Sequence, residues 1–378
     1  MGSYAAYRLA SMGHEVAVLE RKPSIGENVC CTGIIGQECV NSFDIKDAIL
    51  REVNSARLFS PSGNLVRLWR EETQASILDR AAFDMAMASR AEGQGVEYLL
   101  DSPASDIVIE EDRVRVSESR RGRSLAARAV IIASGFGSKL EERLGLGRVG
   151  DFVTGAQVDV ETGIDEVEVY LGHKIAPGFF AWLVPTLPGM ARLGLLSRHS
   201  PGRYLKQLAA SLREKGEIAA TLAEVSHGNI PLKPLPRTCG ERLVVVGNAA
   251  GQVKPTTGGG IYYGLLCAEI AADTLHQALE DDDLSARRLA GYEQKWRRRL
   301  SQELKIGYWA RKLFERLSDK QIDRIFKVVK ANGIDEALLN ASDLSFDWHS
   351  KAIFRLIGQQ VVAKAIDVMK IPFHTGDD

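Results

Sequence analysis

The chain opens MGSYAAYRLASMGHEVAVLER, with small and apolar residues at helical spacing from Ser3 to Met12, a glycine stop at Gly13, and an apolar run from Val16 to Leu19 that ends on Glu20. This pattern predicts a helix followed by a strand that closes on a carboxylate. Further on, ILDRAAFDMAMASRAEGQGVEYLL predicts a helix starting at Asp79, an amphipathic face carrying Phe83, Met87 and Ala91, a glycine stop and a short strand. SDIVIEEDRVRVSESRRGRSLAARAVIIASG reads as strands broken by turns, the last of them buried from Val130 to Ala133 and ending at Gly135. From about Asp151 to Ser197 the period changes to two. EVEVYL, FFAWLV and ARLGLL, separated by Gly and Pro turns, predict an antiparallel sheet with one buried face. A helix over about 201–215 follows, then an apolar strand from Leu243 to Val246 and a long helix from about Gly260. From about Leu284 the chain reads as helical and charged.

These elements predict an α/β fold. A Rossmann-like nucleotide-binding domain runs over 1–150 and returns at 236–283, an antiparallel-sheet substrate domain is inserted at about 151–235, and a helical region covers 284–378. A Rossmann unit places a strand and a GxGxxG turn before its first helix, and an acidic residue about 20 positions later for a ribose hydroxyl. Gly2 suits the last glycine of that turn and Glu20 the acid. The strand and the other glycines would then lie upstream of Met1.

Composition narrows the classes. The chain has 378 residues, is 45% apolar and 26% charged, and carries a formal net charge of -1. That net charge argues against wholesale nucleic-acid binding, since phosphate-backbone binders need clustered positive charge, so nucleic acid is not an expected partner. No apolar run is long enough to span a membrane and no signal segment opens the chain, so the expected location is the cytoplasm. The five cysteines show no CxxC or Cys/His zinc spacing, and no metal is expected. Cys267 falls in an apolar helical run and reads as a core thiol. Cys30 and Cys31 lie in a glycine-bearing loop, and as sequence neighbours they are poorly placed to bond to each other.

The most informative stretch is RLVVVGNAAGQVKPTTGGGIYYGLLCAEIAADTL. A strand runs into Gly247, then a turn with Pro255 and three glycines, then a long helix. That order points free backbone amides and the positive end of a helix dipole at an anion or an electron-rich carbonyl.

GNAAGQVKPTTGGGIYYG resembles the GDAAGxxxPxxGxGI signature of hydroxylase-type FAD-dependent oxidoreductases, and within them most closely the geranylgeranyl reductase family. CCTGIIG, LDRAAFD, PGFFAWLVP and the late DLSFDWHS resemble segments of that family in the same order, over nearly the whole chain. The resemblance implies FAD as cofactor and reduction of carbon–carbon double bonds of polyprenyl chains. It aligns Gly2 with the final glycine of the phosphate turn and leaves about 15 residues of strand and turn unmatched. The expectation is a start placed too late or an interrupted gene, with FAD held poorly by this chain.

The resemblance also implies individual roles. Glu20 takes the adenosine ribose hydroxyls, Arg80 the phosphate and ribityl region, and Ala104 the adenine through its backbone. Asn248 stands where the family has an aspartate beside the ribityl chain, so an amide oxygen replaces a charge. Gly260 and Ile261 offer amides to the pyrimidine end of the flavin. Ser134 and Gly135 replace the usual acidic-residue-plus-glycine pair. Cys31, Thr32 and Gly33 form the loop against the flavin, where the Cys31 thiol could deliver a proton or simply pack. Phe180 and Trp182 share one strand face lining the prenyl tunnel, with Phe179 on the other, although an ordinary sheet core would look similar.

The implied partners are a polyprenyl lipid or prenyl diphosphate-derived substrate and an external electron donor: NADPH, a deazaflavin or ferredoxin. RRRLSQELKIGYWARKLFERL is basic with apolar positions at helical spacing, which leaves open either contact with an anionic membrane surface or packing on the core. Two other readings stay open: a flavin monooxygenase or halogenase on the same scaffold, and a non-catalytic lipid-binding remnant.

Overall fold

The predicted opening helix forms as α1 (Gly2–Ser11), and its strand as Ala17–Leu19, which pairs in parallel with Glu97–Leu99. The computed structural model describes residues 1–219, 221, 224–331, 333 and 345–353. After α1 come α2 (Gln37–Phe43), α3 (Arg80–Glu92) and the single turn α4 (Leu140–Arg143). Asp79 begins α3 because its carboxylate accepts from Ala82 N at 3.0 Å, a cap worth about 1 kcal/mol. A second parallel pair, Val130–Ile132 with Leu243–Val245, carries Cys239–Gly240 on its far edge. Leu19, Val130, Val245 and Ala249 share one apolar cluster, so both parallel pairs contribute to the same layer.

The period-two segments form the middle of a seven-stranded sheet. Its order is Ser226–Pro231, Phe152–Glu161, Met190–Ser197, Phe180–Pro185, Val167–Leu171, Ser55–Phe59 and Leu65–Trp69. The last two strands come from the first part of the chain and join through a parallel pairing of Val167–Tyr170 with Ala56–Phe59. Helix α5 (Pro201–Glu214) covers one face with Leu205, Leu208 and Leu212. On the other face Phe179, Phe180, Trp182 and Tyr308 gather around Val153 and Leu196. Phe179 therefore does not lie opposite Phe180 and Trp182 as alternation predicts. It precedes the strand, which begins at Phe180, so the strand's two-residue alternation does not reach it.

The long helix α6 (Ile261–Glu280) is apolar nearly all round and fully buried at Leu265, Cys267, Ala268, Ala271 and Ala272. Helix α7 (Ala286–Arg316) lies against it, and α8 (Asp319–Ala331) follows. The basic helical segment noted in the sequence lies within α7. Its apolar stripe, Leu300, Leu304 and Gly307, faces the protein core, leaving Trp309 as its exposed large apolar residue at 69%. No helix among the described residues is long and apolar enough to cross a membrane.

Candidate functional site

The signature turn is held from beneath. The strand Leu243–Val245 leads into a tight 3-10 turn over Gly247–Ala250, where Gly247 and Gly251 both adopt positive φ. Gly247 N donates to Gln252 Oε1 at 2.8 Å, Gln252 Nε2 to Tyr292 Oη at 2.8 Å, and Tyr292 Oη to Val245 O at 2.7 Å. Gln252 and Tyr292 are fully buried, so this closed chain satisfies polar groups that water cannot reach. Neither residue was expected from the sequence. Their only signal there is a glutamine inside an otherwise apolar, glycine-rich run.

Asn248 and the start of α6 meet directly. A Cβ on Gly260 would lie 2.8 Å from Asn248 Oδ1, so only a bare backbone fits beside that amide. Gly2 lies against the end of the strand Val130–Ile132, where a Cβ on it would sit 3.2 Å from that of Ala133. The Met1 side chain packs on Gly247 and Gly264. The N-termini of α1 and α6 therefore converge on the signature turn. On the other flank, Ser102 N donates to Glu20 O at 2.8 Å, which sets Ala104 beside the strand that ends just before Glu20.

The CCTG loop is clamped between the two halves of the molecule. Arg80 contacts Cys31 and pairs with Asp84 at 2.8 Å. Burial works against its charge, but Cys31 and Asp84 more than compensate and leave its pKa above the usual range. Thr32 Oγ1 donates to Gln157 Oε1 at 3.0 Å, and Ser226 Oγ to Cys30 Sγ at 3.3 Å. Arg192 Nη1 donates to both Thr32 O (2.8 Å) and Leu78 O (3.1 Å). Gln157 and Arg192 lie on the seven-stranded sheet, so the loop inherits its position from that sheet. Arg192 is a further residue the sequence reading missed, although a lone arginine in the otherwise apolar ARLGLL is its trace. Phe180 and Trp182 approach the signature turn through Leu196 and Ile230, on which Gly258 rests.

Two buried charges lie behind the glycines. Lys254 N accepts its place in the loop by donating to Gly259 O at 3.0 Å, and Nζ reaches Asp347 Oδ1 at 3.3 Å and Phe346 O at 3.2 Å. Burial pulls the Lys254 pKa down, and Asp347 opposes it. The described part of DLSFDWHS, from Ser345, latches here; Asp343 and Leu344 lie outside the described residues. Trp348 Nε1 and Tyr262 Oη both donate to Glu38, at 2.5 and 2.6 Å.

His349 is held neutral in this latch. Its Nδ1 faces Thr256 Oγ1 at 2.5 Å and its Nε2 faces Phe346 O at 2.8 Å. Burial, then the nearby Lys254 charge, push its pKa from 6.5 to about 4. The unfolded chain therefore binds the extra proton between those values. Stability from His349 is complete above pH 6.5 and falls as pH drops towards about 4. The slope is about 1.4 kcal/mol per pH unit. Urea melts across that range should show the slope in the wild type and its loss in His349→Gln.

Whether this arrangement fits a dinucleotide can be read from three features. Arg80 Nε is buried without a partner among the described residues, the Arg80 charge acts on the amine of Met1 at the start of α1, and the turn before α6 presents a glycine-bare backbone. A buried cation with an unused donor near the start of α1, together with the helix N-termini at the signature turn, suits a pyrophosphate flanked by polar groups.

Comparison with known proteins identifies the architecture. A digeranylgeranylglycerophospholipid reductase 2 of Methanothermobacter thermautotrophicus is 31% identical over 356 residues, covering 88% of this chain and 90% of that protein. The chain belongs to the digeranylgeranylglycerophospholipid reductase family. A geranylgeranyl bacteriochlorophyll reductase-like protein of Thermoplasma acidophilum superposes with a TM-score of 0.84 at 25% identity, covering 97% of this chain and 96% of that one. A flavin-dependent brominase matches with a TM-score of 0.67 at 16% identity, over 96% of each chain, which shows a shared fold. No protein-family profile matches the chain. Within the reductase family, the CCTG loop, the signature turn and the aromatic strand are thus parts of one structure, with Arg192, Gln252, Tyr292 and Lys254 as their supports.

Proposed function

We propose that this chain is an FAD-dependent reductase that saturates carbon–carbon double bonds of a geranylgeranyl-type lipid. The observation that carries it is the convergence of the signature turn, the CCTG loop and the aromatic strand in a chain that aligns with a named reductase over 88% of its length. When bound, reduced FAD supplies the hydride for the alkene. The residues of this chain do the rest. Arg80 and the N-termini of α1 and α6 hold the pyrophosphate, and Glu20 with the backbone at Ala104 takes the adenosine end. Asn248 accepts from a ribityl hydroxyl without adding charge. The amides at Gly260 and Ile261 face the pyrimidine ring, where they offset negative charge.

On the substrate side, Phe180 and Trp182 give the prenyl chain an apolar bed. Each CH₂ removed from water contributes roughly 0.8 kcal/mol. Cys31, in contact with Arg80 and followed by Thr32 and Gly33, presents its sulfur from a loop fixed by both α3 and the seven-stranded sheet. Electrons come from an external donor such as NADPH, a deazaflavin or ferredoxin. The lipid reaches the site from a membrane surface that the protein meets peripherally, for which exposed Trp309 is a contact; liposome flotation that leaves the protein unbound removes that step.

The test is spectral. The purified chain should take up FAD with a resolved flavin absorption band, and the reduced form should be reoxidised anaerobically by a geranylgeranyl lipid. Reoxidation by oxygen alone, with a hydroxylated or halogenated product, would instead assign the oxygen chemistry known on this fold. A colourless chain that binds prenyl lipid but refuses FAD would mark a binding protein without catalysis.

A further inference from the structure

Helices α1 and α6 run side by side over a shared apolar core, and one edge of the seam between them is polar. Tyr4 Oη donates to Glu269 at 3.4 Å, and Arg8 pairs with Asp273 at 2.7 Å and Glu269 at 3.5 Å. Beyond these, His14, in the turn after α1, meets His276. Positions 269, 273, 276 and 280 fall on one face of α6, so Glu280 is the next rung of the same row. His14 Nε2 and His276 Nδ1 are 2.9 Å apart, and with the Glu280 carboxylate they bring three ligand atoms within 4.8 Å of one another.

We propose that His14, His276 and Glu280 bind a transition-metal dication of the zinc type. Two imidazole nitrogens with one carboxylate favour such borderline metals over magnesium or calcium, which demand oxygen. Three protein ligands leave a fourth tetrahedral position for water. Ligand nitrogens around zinc sit about 3.3 Å apart, given bonds of about 2.0 Å, so the two rings need to separate by only a few tenths of an ångström. The site can give that much. His14 follows Gly13, which turns the chain at φ +88°, and Glu280 is exposed. Among the described residues Glu280 has no other hydrogen bond or ion pair that would have to break. Without metal, one ring must carry its proton on the facing nitrogen to bond the other. Moving that proton to the same ring's outer nitrogen frees both facing lone pairs, with no net proton released.

The neighbouring charges permit it. Arg128, whose charge acts on His14, is occupied by Asp282 and Leu279 O. The site lies about 24 Å along α6 from the glycine-bare end of that helix, far from the signature turn. Bound metal would staple the turn after α1 to the far half of α6, fixing two helices whose N-termini share the signature turn. Local sequence spacing could not reveal the site, because His14 and His276 are 262 positions apart.

Calorimetric titration of the metal-stripped full-length chain with zinc sulfate tests the proposal, beside His14→Asn/His276→Asn and Glu280→Gln variants. The wild type should bind one zinc ion more than the double-histidine variant, and zinc should raise the Tm of the wild type alone. Glu280→Gln should weaken that binding by about tenfold, equivalent to about 1.4 kcal/mol. Because Glu280 is exposed, its variant reports on the ligand and not on folding. Equal zinc stoichiometry and affinity in the wild type and the double variant, or no binding by the wild type, would overturn the site and leave a histidine–histidine hydrogen bond as the last rung of the seam.

Discussion

Replacing Asp347 with alanine should destabilise the protein by about 3–5 kcal/mol, because it leaves Lys254 as a buried cation without its counter-ion. Both side chains are almost completely inaccessible, at 6% and 1% exposure. The Lys254 ammonium also lies 5.0 Å from the centre of the Phe346 ring and 5.9 Å from that of Tyr263, and these contacts survive the substitution. They are worth about 1 kcal/mol or somewhat more each and cannot replace a carboxylate. The second carboxylate oxygen, Oδ2, has no partner among the described residues and presses on the backbone of Gly36, where a Cβ would collide with it. The pair is therefore specific to this spot and costly to break on one side. Urea unfolding of Asp347→Ala gives the magnitude. The double variant Lys254→Met/Asp347→Leu, which removes both charges, should recover most of the loss. A single variant within about 1 kcal/mol of wild type would show that the ion pair contributes little.

The same substitution should be felt at the signature turn. Lys254 donates its backbone N–H to Gly259 O, and its own carbonyl accepts from Gly258 N at 2.8 Å. Displacing Lys254 therefore moves the glycines that precede α6. The binding constant for added FAD should weaken in Asp347→Ala and return in the double variant. A purely global loss of stability would leave affinity unchanged below the melting range, so the two measurements separate a latch on the loop from a generic core defect.

What the sequence could reveal depended on how local each cause was. The helix at Asp79 was legible because a capping carboxylate and an apolar face three and four residues apart are written within thirteen positions. The strands Val167–Leu171, Phe180–Pro185 and Met190–Ser197 were legible from alternation alone. Their neighbours Ser55–Phe59 and Leu65–Trp69 carry no comparable sign that they join the same sheet, since strand order is decided by long-range pairing. The site divides in the same way. Glycines at the signature turn announce close backbone approach, whereas Arg192, Gln252, Tyr292 and the Lys254–Asp347 pair acquire meaning only through partners 40 to more than 100 residues away. Phe179 shows the limit of periodicity from the other side, because a two-residue rule fails one residue before its strand begins.

Gly33→Ala should cost about 2–4 kcal/mol and disconnect the CCTG loop from both halves of the molecule. Gly33 holds φ at +81°, which an alanine adopts only with strain. A methyl group there would also lie 2.6 Å from Leu78 O and 3.3 Å from Arg192 Nη1. The first of these is backbone, tied by Leu78 N to Gly33 O at 3.0 Å, so it cannot swing aside. Relief must come from the loop, and the Arg192 bonds to Thr32 O and Leu78 O are the first to open. Arg192→Met removes those two bonds without touching the backbone and should produce a milder version of the same defect. If Cys31 works from this loop, both variants should lower turnover at saturating lipid in the order Gly33→Ala below Arg192→Met, while FAD binding at the Asn248 side persists. Loss of flavin in step with loss of turnover would show instead that the loop's task is to retain the cofactor, and that Cys31 is placed there for packing.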